Sequence, residues 1–183
     1  MKKGIILYRS KYGATKKYAG WLQEALGYDC EEASGAALRR AAAYDVVLFC
    51  GAVYASGIKG LSLLKKSMRT LHGKKVAVLC VGASPYDEAA FTALRQRHFG
   101  GELEGIPVWY ARGAWDTEAM TAVDRTLCNM LKKSLAKRDP ATYEPWMQAL
   151  MSVQDGKADW TDKAYLAPLI AYCTAETQVL QKE

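Results

Sequence analysis

Short apolar runs alternate with amphipathic stretches along most of this chain, and that alternation leaves few folds open. Lys3–Tyr8, Asp45–Cys50, Lys75–Val81 and Pro107–Ala111 are compact runs rich in Val, Ile, Leu and aromatic residues, with a weaker one at Tyr28–Ala33. The spacing between them is helical. Ala14, Tyr18, Trp21, Leu22, Ala25 and Leu26 share one face; so do Ile58, Leu61, Leu64, Met68 and Leu71, and again Met120, Val123, Leu127, Met130, Leu131 and Leu135. Shorter helices are expected behind Ser34 and over Asp87–His98. Continuous apolar strands are buried on both faces, so the chain predicts an α/β fold: a parallel sheet with helices on both sides. Right-handed crossovers then favour a doubly wound sheet of strand order 2-1-3-4-5 over residues 1 to about 138.

In that order, ligands bind at the carboxyl ends of strands 1, 3 and 4. The turns there are Arg9–Thr15, Gly51–Gly57 and Gly82–Tyr86. The first joins a strand to a helix N-terminus, a geometry that aims backbone N–H groups at an anion such as a phosphate. Ser10, Tyr12 and Thr15 add hydroxyls, Lys11 and Arg9 carry charge, and Gly13 permits a positive φ or a close backbone approach. The turn lacks the Gly-Lys-Ser/Thr ending of a P-loop and has one glycine where the dinucleotide fingerprint needs three. Tyr54 and Tyr86 are candidates to stack on a flat ring, with Ser84 as a polar contact.

Tyr8-Arg-Ser-Lys-Tyr-Gly-Ala-Thr15 resembles the phosphate loop of flavodoxin-like proteins, which runs aromatic-x-Ser/Thr-x-x-Gly-x-Thr. The resemblance implies a flavodoxin-like three-layer sandwich with flavin mononucleotide (FMN) as cofactor. It places the phosphate on Ser10, Lys11, Tyr12, Gly13, Ala14 and Thr15, and the ring against Ala52, Val53, Tyr54 and Ala55 and against Gly82, Ala83, Ser84 and Tyr86. Residues 1 to about 135 are most similar to flavodoxin-domain proteins of the type that includes menaquinone-dependent protoporphyrinogen oxidase. Two features depart from that type. The chain is basic where carrier flavodoxins are acidic, and its extra mass is read at the C-terminus, not as an insertion at the last strand. The expected function is oxidoreduction through the flavin to an organic acceptor such as a quinone or porphyrinogen, with no catalytic side chain. The alternatives are an electron shuttle between protein partners and a cofactor-free interaction domain.

The remaining features bound this reading. A length of 183 residues suits one domain, read as a core over 1–138 and a helical extension over 139–183. The extension is expected to hold helices over Tyr143–Val153 and Thr161–Leu180, the second kinked or split at Pro168. It is either packed on the core or a lid, partner or membrane-contacting surface. The net charge of +6 forms no long basic tract, so nucleic acid is not an expected partner. No apolar run approaches the roughly 20 residues that span a bilayer, and the expected location is cytoplasmic. Cys30, Cys50, Cys80, Cys128 and Cys173 lack pair spacing and read as reduced thiols, and His72 and His98 read as helix-end residues, not metal ligands. Ser62-Leu-Leu-Lys65 matches an acyl-enzyme motif but lies inside an amphipathic helix without its companion motifs.

Overall fold

The computed structural model describes residues 3–153 and 155–175. The strands are β1 (Gly4–Arg9), β2 (Asp29–Glu32), β3 (Val46–Tyr54), β4 (Gly57–Ile58), β5 (Lys75–Gly82), β6 (Val108–Arg112), β7 (Ala114–Asp116) and β8 (Lys157–Asp159). The helices are α1 (Ala14–Leu26), α2 (Gly35–Arg40), α3 (Leu61–Ser67), α4 (Glu88–His98), α5 (Ala122–Leu135), α6 (Pro145–Ser152) and α7 (Ala167–Thr174). The main sheet runs β2-β1-β3-β5-β6, all pairs parallel, and β4 adds a short antiparallel pairing to the end of β3. Counting only its parallel strands, this is the expected 2-1-3-4-5 order.

Side chains alternate across each strand, and that period of two divides the core into two layers. Ile5, Leu7, Val47, Phe49, Val78 and Cys80 face α2 and α3, where Leu38, Leu61 and Leu64 are buried. Ile6, Leu48, Cys50, Leu79 and Ala111 face α1, where Tyr18, Ala19 and Leu22 are buried. The expected caps form: Ser34 Oγ accepts from Ala37 N at 3.1 Å, Asp87 Oδ1 accepts from Ala90 N at 2.8 Å, and Gly27 ends α1 in the left-handed region. Ala25, read on the buried face of α1, is exposed, and Ala19 takes its place.

The helix that closes the sheet beside α1 is not the one its pattern suggests. Leu166, Leu169 and Cys173, from the turn before α7 and from α7 itself, complete the α1 layer. Tyr18 fastens this junction: its Oη donates to Arg112 O at 2.6 Å and accepts from Asp162 N at 3.0 Å. Burial pushes its phenol up to about 12. Helix α5, by contrast, turns the middle of its apolar stripe outward, with Val123 68 % and Met130 63 % exposed, while Met120 and Leu135 at its ends are buried. It stands with β7, β8 and α6 as a unit inserted between β6 and α7, built on a small core of Leu135, Met147 and Leu150. The unit and α7 both follow β6, and α7, from the expected C-terminal extension, packs on the core. Pro168 lies in the first turn of α7, where the segment passes from a 3-10 turn over Lys163–Leu166 into the α-helix. The part of the expected helix beyond residue 175 lies outside the described residues.

Candidate functional site

The carboxyl ends of β1, β3 and β5 meet at one rim. Beyond β1, Ser10 Oγ accepts from Gly13 N at 3.0 Å and tightens the turn. Gly13 has φ 97°, and an added Cβ would meet nothing, so conformation and not space calls for glycine. The N–H groups of Ala14, Thr15 and Lys16 open α1 and find no acceptor among the described residues. The first turn of α1 holds no acidic side chain, so the positive end of the helix dipole is uncompensated. Thr15 is 1 % exposed and lines the cleft. A hydroxyl-bearing side chain on the cleft wall beside a bare helix N-terminus is a donor set suited to an anion.

The second turn is tighter than a loop over Gly51–Gly57. Strand β3 continues to Tyr54, and Ala55 and Ser56 make a two-residue hairpin that returns through β4. Both have positive φ, 48° and 61°, the pattern of a type I′ turn that Asn-Gly adopts without strain. The hairpin fixes Tyr54 at the cleft mouth. Strand β5 ends at Gly82, whose carbonyl accepts from Gly113 N at 2.7 Å. A Cβ on Gly113 would stand 3.0 Å from Val81 Cγ1 and 3.2 Å from Ala14 Cβ, so the exit from β6 is drawn tightly against the start of α1.

The cleft between these turns encloses about 130 Å³. Sites for drug-sized ligands span about 300–1,000 Å³. Its centre is filled by a charged cluster that α5 brings in. Asp124, in the first turn of α5, accepts from Tyr54 Oη at 2.5 Å, from Lys11 Nζ at 2.6 Å and from Tyr12 Oη. The Lys11 ammonium also lies 3.1 Å from the Tyr54 ring centroid, a cation–π contact. Lys11, Tyr12 and Tyr54, donating to the carboxylate, hold Asp124 well below the usual carboxylate range. Desolvation pulls Lys11 down, but Asp124, Tyr54 and Tyr12 outweigh it, and the net shift is upward. Burial, then the hydrogen bond to Asp124, raises Tyr12. Trp115 on β7 also lines the cleft, and its buried indole N–H has no partner among the described residues.

Of the expected site residues, Ser10, Lys11, Tyr12, Ala14, Thr15, Ala52, Val53, Tyr54, Gly82 and Ala83 line this cleft. Gly13 shapes its turn from the exposed side, and Ala55 lies in the hairpin tip. Ser84 and Tyr86 border a neighbouring pocket with Phe91 and Tyr110. Arg9 turns away to Glu32 at 2.8 Å. Gly113, Trp115, Met120, Asp124 and Cys128 also line the cleft and escaped the sequence reading. Two signals pointed to them: the exit from the last strand opens on the same rim, and Asp124 and Cys128 lie one helical turn apart beside the apolar stripe. Among the described residues no cluster of side chains could hold a metal ion, and no helix is long and apolar enough to cross a membrane.

The family model described as the flavodoxin domain matches residues 5–142. No curated protein matches the chain. Solved structures similar to it include a flavoprotein in complex with FMN from Lactobacillus acidophilus NCFM, at 19 % identity over 61 % of this chain and 93 % of that one, with TM-score 0.41. The Trp repressor binding protein from Bacillus subtilis is 16 % identical over 61 % and 83 %, TM-score 0.46. The two-electron reduced flavodoxin of Megasphaera elsdenii is 20 % identical over 58 % and 82 %, TM-score 0.41.

Proposed function

Because the chain belongs to the flavodoxin-domain family, we propose that it binds FMN in this cleft and passes electrons through the flavin to an organic acceptor. The observation that carries this reading is the set of open N–H groups that begins α1, beside Thr15 on the cleft wall. Phosphate oxygens satisfy that set with charge-assisted hydrogen bonds. Ser10 holds the turn in shape, and the stacking face of Tyr54 suits the ring. Trp115, which also lines the cleft, offers a further N–H. Bound FMN supplies the redox chemistry, and the chain's own residues bind it, orient it and exclude water.

A quinone or a porphyrinogen is the acceptor class we favour. A carrier role, with electrons handed to a protein partner, is the second reading, and the exposed apolar side of α5 beside the cleft favours it. Purified protein supplemented with FMN tests both. Flavin absorbance retained through gel filtration is the expected result, and its absence defeats the FMN reading. Turnover of a small soluble quinone by the reconstituted protein separates an enzyme from a carrier.

A further inference from the structure

Three donors in the cleft belong to a carboxylate of the chain itself. Asp124 takes Lys11 and Tyr12 from the phosphate turn and Tyr54 from the ring turn. Lys11, drawn to Asp124, covers the Tyr54 face. One carboxylate thereby commits both halves of the cofactor seat, and the open volume is below what a ligand of FMN's size needs. Resting on the FMN reading above, we infer that Asp124 is an internal anion that competes with the cofactor phosphate for Lys11 and Tyr12, and so sets how tightly the chain holds FMN.

The physics is direct. A phosphate at the start of α1 brings up to two negative charges to a turn whose lysine already neutralises a carboxylate. Either Lys11 leaves Asp124 or two anions share one ammonium in a partly desolvated site, where charges interact several times more strongly than in water. Binding must therefore undo a contact that the folded protein has already made, and affinity falls by that amount. Lys11 is the hinge of the exchange because it alone among the donors carries the charge the phosphate needs.

The test uses flavin-free wild-type protein, Asp124→Asn and Asp124→Ala, titrated with FMN and with riboflavin, which lacks the phosphate, by quenching of flavin fluorescence at fixed pH and salt. The expected result is that both variants bind FMN at least tenfold more tightly than wild type, with a clearly smaller gain for riboflavin. Adding Lys11→Met to Asp124→Asn removes that gain, because the freed ammonium is its source. Unchanged or weaker FMN binding by the Asp124 variants overturns the inference while wild-type FMN binding leaves the functional reading standing. An equal gain for both flavins also overturns it, since a loosened cleft does not distinguish them. Failure of wild type to bind FMN at all overturns both.

Discussion

Lys11 Nζ stands 2.6 Å from Asp124 Oδ2, in an ion pair whose side chains are 18 % and 9 % exposed. It joins the turn after β1 to α5, part of the unit inserted after β6. Its consequence for stability has a definite sign. The folded Asp124 carboxyl is held below its ordinary value by Lys11, Tyr12 and Tyr54. A depressed carboxylate contributes stability that is complete above the unfolded pKa of about 3.9 and is lost as pH falls toward the folded value. Flavin-free wild type should therefore lose melting temperature more steeply below about pH 4 than Asp124→Asn, while at neutral pH the variant melts lower. Parallel pH profiles by circular dichroism would remove Asp124 from the stability of the fold.

Thr15 separates binding from folding. Its side chain is packed on the cleft wall, so the isosteric Thr15→Val keeps the packing. The flavin-free variant should melt close to the wild-type temperature. FMN affinity should fall by about 1.5–3 kcal/mol, the range for a hydrogen bond to a charged group. Adding Ser10→Ala should weaken binding further through loss of the turn that Gly13 N completes. Fluorescence titration and thermal melts on the same samples check both halves.

Trp115 gives a weaker version of the same logic. Its indole N–H is buried and unpaired among the described residues, on a side chain that lines the cleft. Trp115→Phe should leave the flavin-free protein within about 1 kcal/mol of wild type. It should also cost FMN a few-fold in affinity if the indole donates to the cofactor.

The hairpin at Ala55–Ser56 holds two L side chains in the left-handed region. Replacing the pair with Asn-Gly should stabilise the protein by about 1 kcal/mol in a urea titration, because Asn and Gly occupy that region at little cost. A loss of stability would mean that Ala55 or Ser56 makes contacts that outweigh the strain.

Helices α5 and α7 should differ in their response to side-chain truncation. Leu169→Ala, in the core beside α1, should cost about 2–5 kcal/mol. Leu127→Ala, on the outward face of α5, should change stability by less than about 0.5 kcal/mol. Urea midpoints of the two variants decide it.

The order of strands, the two faces of the sheet and the turn at Ser10–Thr15 were readable from residues alone. They rest on short-range rules: period-two burial, helical spacing, caps such as Ser34 and Asp87, and the few topologies that parallel strands allow. What a helix faces is a different kind of fact. An amphipathic stripe says that a face exists, not what covers it, so the middle of the apolar stripe of α5 read as core and turned out to be surface. The sheet is instead closed by the turn at Leu166 and by α7, a segment with little amphipathic signal of its own. Asp124 lies 112 residues from Tyr12 and 70 from Tyr54. No local pattern predicts such a meeting, because it follows from the summed packing of every element between them.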